Sequence, residues 1–144
     1  PFLIEYNVRM GDPECQTILP RLKTDFLEIV VATVNEDLKD INLEWFEDKS
    51  ICVVLASKGY PDEFKNNYEI KGLKEIELQD NEYIFHAGTK VNNSKIYSSG
   101  GRVLNFVIKS DNLKIGRDKA ISLINKLNWQ NGYFRKDIGY KIIS

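Results

Sequence analysis

Glu5, Asn7 and Arg9 stand at every second position of the stretch Phe2-Leu-Ile-Glu-Tyr-Asn-Val-Arg-Met10. Alternate side chains of an extended chain point the same way, so the three share a face. An acid and an amide offer hard oxygens to Mg²⁺ or Mn²⁺, and a guanidinium offers a fork of donors to phosphate. The row therefore suits a metal–polyphosphate site. The apolar run Phe2 to Ile4 reads as a buried strand that would carry it, with Met10-Gly11-Asp12-Pro13 as a turn behind it. The plainer reading is a half-buried strand with a polar outer face.

Other residues offer less. Ser99-Gly100-Gly101-Arg102 has backbone amides and a guanidinium free to approach an anion. The glycines by themselves also fit a hairpin turn. His86, the one histidine, lies between Phe85 and Ala87 in a strand pattern and reads as a packed, hydrogen-bonded side chain. Cys15 and Cys52 are far apart and neither belongs to a CxxC pair, so a zinc site lacks ligands. Two reduced thiols fit a cytoplasmic protein.

The elements that must position these residues follow from periodicity and capping. Asp12-Pro13-Glu14 resembles a helix start, with Asp12 as N-cap and Pro13 in the first turn, and the helix should end before Pro20. Asp25 and Glu28 form a capping-box pattern ahead of a helix to about Glu36, whose stripe of Leu27, Val30, Val31 and Val34, widened by Phe26 and Ile29, predicts a well-buried helix. The charged stretch 37–49 reads as a connector pinned by Trp45 and Phe46. Ser50–Ser57 is a β-branched run of strand length. Further strands are expected at Glu75–Leu78, Tyr83–Ala87, Lys95–Ser98 and Arg102–Ile108, with closing strands at Tyr133–Arg135 and Tyr140–Ile143. A helix fits Leu113 to about Leu127, although Gly116 weakens its first turns.

The expected architecture is α+β, with a mainly antiparallel lobe and one helix over residues 50–144, preceded by a separate segment over 1–49. With 20 basic and 21 acidic residues the charge is balanced, and nothing demands nucleic acid or an acidic membrane as partner. No apolar run approaches a membrane span. The chain opens at Pro1 already inside strand pattern, which suggests the C-terminal portion of a longer polypeptide.

The stretch Ile4-Glu-Tyr-Asn-Val-Arg-Met-Gly-Asp-Pro-Glu-Cys-Gln16 resembles the signature of the phosphoribosylamine–glycine ligases, members of the ATP-grasp superfamily. Gly59-Tyr-Pro61, Phe85-His-Ala-Gly-Thr89, Gly100-Gly-Arg-Val-Leu104 and Arg135-Lys-Asp-Ile-Gly-Tyr140 continue the resemblance in the family's order along nearly the whole chain. It implies that residues 1–49 end an ATP-grasp domain and that 50–144 form the ligase's C-terminal domain. It implies an enzyme that joins glycine to 5-phosphoribosylamine, using ATP and Mg²⁺ or Mn²⁺, in de novo purine synthesis. The rest of the same polypeptide would supply the adenine pocket and a further acidic metal ligand, so the segment alone would be inactive.

Residue by residue, the resemblance makes Glu5 and Asn7 the metal ligands. It sets Arg9 against the transferring phosphoryl group, in place of an ion pair with Glu5 or Asp12. Asp12 either orients the amine of phosphoribosylamine or only caps the next helix. Arg135 and Lys136 would hold the ribosyl phosphate, unless they are a solvated basic pair beside Asp137, and Gly100, Gly101 and Arg102 would assist. Ser98-Ser99 stands where the family has Thr-Asn, and Asp62-Glu63 follows Gly-Tyr-Pro where a Gly is usual. Two other readings use the same scaffold: a sister ATP-grasp ligase with another acceptor, and a non-catalytic assembly module.

Overall fold

A computed structural model describes residues 1–143. Its centre is a four-stranded antiparallel sheet in the order β2-β5-β1-β6, built from β1 (Lys49–Ser57), β2 (Glu82–His86), β5 (Arg102–Ser110) and β6 (Gly132–Tyr133). A separate hairpin joins β3 (Thr89–Asn92) to β4 (Lys95–Ser98). Its turn places Asn93 and Ser94 in the left-handed region, where Asn is tolerated. The expected α+β class holds, and so does the antiparallel lobe with its one helix. β3 is too short and too polar to have been legible from sequence.

That helix, α3 (Leu113–Ile124), starts where the Asn112 side chain accepts from the amides of Lys114 and Ile115. It ends three residues short of the expected Leu127. Ala120, Leu123 and Ile124 pack on one sheet face against Ile51, Val53 and Leu55 of β1 and Leu104, Phe106 and Ile108 of β5. A Cβ on Gly116 would lie 3.1 Å from Ile51 Cγ2, so the glycine that weakens the helix also lets it approach the sheet.

The register of β1 and β5 shifts between Leu55 and Ala56. Leu55 pairs with Leu104, but Ala56 pairs with Arg102 and Val103 is passed over. Strict alternation would put Arg102 on the α3 face with Leu104 and Phe106. The bulge turns it to the opposite face, with Ala56, Val54 and Cys52. On that face lies α1 (Glu14–Ile18), which a single 3₁₀ turn at Leu19–Arg21 extends past Pro20.

Several expectations fail. Residues 2–4 form no strand: Phe2 is 98% and Ile4 94% exposed. A strand needs a neighbour to pair with and an apolar surface to cover, and the described residues supply neither here. α2 (Phe26–Val34) is capped by Asp25, whose carboxylate accepts from the Leu27 amide at 2.8 Å, yet only Ala32 is buried. Its apolar stripe, including Leu27 and Val34, faces solvent. Asp12 does not cap α1. Pro13 takes the N-cap position without a side-chain bond, because the Asp12 carboxylate is engaged elsewhere. Residues 75–78 are irregular, with Ile76 packed on the core from a turn. Residues 140–143 follow tight turns onto the carbonyls of Asp137 and Gly139, not a strand. The connector 37–49 is pinned by a Leu22–Trp45 bridge, by Phe46 N–H donating to Arg21 O, and by the Lys109 ammonium 4.3 Å above the Phe46 ring.

Candidate functional site

The row of Glu5, Asn7 and Arg9 survives the loss of its strand. Asn7 Nδ2 donates to Glu5 Oε1 at 3.0 Å, and Arg9 Nη1 donates to Asn7 Oδ1. Alternation puts the three side chains together even in an unpaired segment. Arg9 bonds Asn7, and neither Glu5 nor Asp12. Glu5 offers hard oxygens open to solvent, and Asn7 a further one that Arg9 engages, which together fit part of a Mg²⁺ shell. No cluster of three or more His, Cys, Asp or Glu side chains suited to a metal occurs among the described residues, so other ligands must complete such a shell. No hydrogen bond or ion pair among the described residues joins this row to Asp12.

Asp12 belongs to a second constellation. Its Oδ2 lies 3.2 Å from Arg102 Nε, its backbone carbonyl accepts from Arg102 Nη1 at 3.0 Å, and its Oδ1 accepts from Gln16 Nε2 at 2.8 Å. Arg102 lines a cleft of about 520 Å³ on the α1 face of the sheet. Pro13, Val54, Tyr60, Phe134 and Arg135 are among its other walls. Two candidates far apart in sequence, Arg102 and Arg135, therefore share one cavity, and Arg102 links it to Asp12.

Both arginines already hold a partner. Arg135 Nε and Nη2 meet Asp137 Oδ1 and Oδ2 at 3.0 and 2.8 Å. These bonds raise the guanidinium's pKa and hold the Asp137 carboxyl below its usual range. The pair is exposed, so little opposes its exchange for another anion. Each guanidinium keeps free donors, because only two of its five N–H groups face the acid. Lys136 stands beside Arg135 and Asp137 at a shallower recess.

Gly100 and Gly101 are packed by their backbones. Ser57 N–H donates to Gly101 O at 2.7 Å and Ser57 Oγ donates to Gly100 O at 2.8 Å. A Cβ on Gly101 would lie 2.1 Å from Tyr60 Cδ2, so this glycine admits the ring that walls the cleft. The two glycines join β4 to β5, strands of different sheets, so they form no hairpin turn. His86 is hydrogen-bonded, with Nδ1 2.9 Å from Thr89 Oγ1, but it is exposed and not packed.

Sequence reasoning missed Gln16, Cys52 and Phe134. Gln16 orients Asp12 and falls within the opening signature. Cys52 lies beneath α1, and its thiol is pushed up to about 12 by burial and then by the Asp12 charge. Phe134 precedes Arg135, and nothing in its sequence position marks it as a wall.

The sequence pattern described as "Phosphoribosylglycinamide synthetase, C domain" matches residues 50–141. A phosphoribosylamine–glycine ligase of Caldanaerobacter subterraneus is 48% identical over 96% of this chain and 32% of its own length. One from Agrobacterium fabrum is 43% identical over all of this chain and 34% of its own length. The crystal structure of the Thermotoga maritima phosphoribosylamine–glycine ligase superposes with a TM-score of 0.66 at 33% identity, covering 95% of this chain and 33% of that one. The chain thus spans about a third of the length of the curated relatives it matches.

Proposed function

The chain belongs to the phosphoribosylamine–glycine ligase family, and we propose from that membership that it works as the C-terminal part of a ligase joining glycine to 5-phosphoribosylamine at the expense of ATP. The observation that carries this is the match along the whole chain to relatives bearing that ligase name. Residues 1–49 then complete an ATP-grasp domain and residues 50–144 form the C-terminal domain, a division supported by a family match that begins at residue 50. The remaining two thirds of the polypeptide supply the nucleotide pocket. No helix among the described residues is long and apolar enough to cross a membrane.

In this reading the glycine carboxylate attacks the γ-phosphate of ATP, ADP leaves, and the amine of phosphoribosylamine attacks the glycyl phosphate and displaces phosphate. Glu5 and Asn7 hold Mg²⁺ or Mn²⁺, which would neutralise charge on the phosphate oxygens. The Asn7 amide turns so that its oxygen faces the same way as Glu5, a rotation that gives up the exposed bonds to Glu5 and Arg9. Arg9, released, stabilises the transferring phosphoryl group. Asp12, held by Arg102 and Gln16, orients the attacking amine. Arg102 and Arg135 receive the ribosyl phosphate at the cleft and Lys136 assists from the neighbouring recess, with Gly100 and Gly101 shaping the wall beside Tyr60.

The test is a ligase assay on the full-length polypeptide with Glu5→Gln. The amide keeps the shape and removes the charge, so turnover should fall by orders of magnitude while circular dichroism stays unchanged. Parent-like turnover at limiting Mg²⁺ would refute the ligand assignment. Absence of glycinamide ribonucleotide from the parent enzyme, given all three substrates, would refute the reaction.

A further inference from the structure

Away from the cleft, two residues with shielded polar atoms line one recess. It measures about 430 Å³ and is lined by Thr17, Ile18, Arg21, Trp45 and Ser50. Arg21 Nε and Ser50 Oγ are both withdrawn from solvent, and neither has a hydrogen-bond partner among the described residues. Arg21 also takes part in no ion pair among those residues.

The backbone fixes both groups. Arg21 ends the 3₁₀ turn after Pro20, and its carbonyl accepts from Phe46 N–H at 2.8 Å. The Leu22–Trp45 bridge keeps the indole beside it. Ser50 sits at the start of β1, paired in register with Lys109. Thr17 spends its hydroxyl on the carbonyl of Pro13 at 3.0 Å, so the free donors among the lining residues are those of Arg21 and Ser50 and the Trp45 indole N–H. No acid lines it. A shielded donor without an acceptor is costly, and more so when charged, so this arrangement calls for an acceptor.

The chemistry selects the acceptor. A guanidinium beside a hydroxyl matches the two oxygens of one carboxylate. A phosphate dianion carries a second charge, and Arg21 is the one cation lining the recess. Ile18 and Trp45 form apolar walls that suit a ring or branched chain. We propose that Arg21 and Ser50 form a binding site for a single carboxylate carried on an apolar or aromatic body. The carboxylate comes from a free small molecule or from an acidic side chain of a longer polypeptide. The proposal does not depend on the ligase reading.

Nitrogen-15 NMR of the 144-residue chain tests it, following the Arg21 Nε–H and Trp45 indole N–H signals at constant ionic strength. Benzoate should shift both saturably, acetate more weakly, and inorganic phosphate no more than chloride. Ser50→Ala should weaken benzoate by about tenfold, as for one lost hydrogen bond to a charged group. Arg21→Gln should abolish the response with circular dichroism unchanged. No saturable benzoate response in the parent, a stronger response to phosphate, or a Trp45 shift that persists in Arg21→Gln overturns the proposal. The same signals in the full-length polypeptide identify the source. If they are already displaced and indifferent to benzoate, an acidic side chain fills the site; if they titrate as in the short chain, the ligand is free.

Discussion

Arg102 holds Asp12 by two handles, its Nε 3.2 Å from the carboxylate and its Nη1 3.0 Å from the backbone carbonyl, across 90 residues of sequence. The contact ties the turn before α1 to the first residue of β5. It also orients the Asp12 carboxylate. Because both side chains are more than a third exposed, at 39% and 38%, the pair is worth little as stability. Arg102→Lys should therefore lower the unfolding free energy by no more than about 1 kcal/mol. Lysine keeps the charge but lacks the fork, so the full-length ligase should lose kcat by clearly more than that energy implies. Urea melts beside steady-state kinetics check this, and a proportionate loss of both would reduce Arg102 to a structural tie.

Arg135→Ala in the full-length ligase should raise KM for phosphoribosylamine by about tenfold or more, the effect of removing a charge-assisted contact of roughly 1.5–3 kcal/mol. KM for ATP and glycine should hardly move. Asp137→Asn should leave the phosphoribosylamine KM no higher than the parent's, since it removes the anion that competes for Arg135. A rise in KM for ATP alone in Arg135→Ala would mean that this lobe closes the nucleotide pocket instead.

Glu82 is buried on β2, with its carboxylate 3.0 Å from Lys119 of α3, whose own side chain is 38% exposed. Deleting one partner or the other is therefore unequal. Lys119→Ala strands a buried carboxylate and should cost up to about 3 kcal/mol, the lower end of what breaking a buried pair costs. Glu82→Ala leaves a lysine that reaches water and should cost about 1 kcal/mol for the pair, apart from lost packing. Equal losses in thermal or urea melts would show that Lys119 contributes packing and not charge.

Cys52 should be the slower of the two thiols to alkylate at neutral pH. Burial favours its protonated form, with Asp12 adding to the effect and a hydrogen bond with Thr17 opposing it. Since the folded pKa is raised, the unfolded chain releases this proton first. The contribution to stability is intact below about pH 9 and is lost as pH climbs toward the folded value. Cys52→Ala should flatten the decline of stability above about pH 9, measured by urea melts across that range. Iodoacetamide mapping that labels Cys52 ahead of Cys15 would contradict the burial argument.

Much of this protein was decided by sequence alone. Period-2 and period-3.6 patterns, with Asp25 as a cap, located β1, β2, β4, β5, α2 and α3, because local propensity and the core face agree there. Alternation was enough to group Glu5, Asn7 and Arg9, since it is a property of extended backbone whether or not a neighbouring strand exists. The tertiary structure decided what depends on residues distant in the chain. Asp12-Pro13-Glu14 carries a local cap signature, but Arg102 and Gln16 claim the carboxylate, and no local rule contains either contact. The apolar stripe of α2 announces a buried helix, yet burial needs a covering surface, which a helix cannot specify by itself. The bulge between Leu55 and Ala56 is the clearest case. Period 2 assigns Arg102 to the core face, and only the pairing of two strands, one residue out of step, brings its guanidinium round to Asp12.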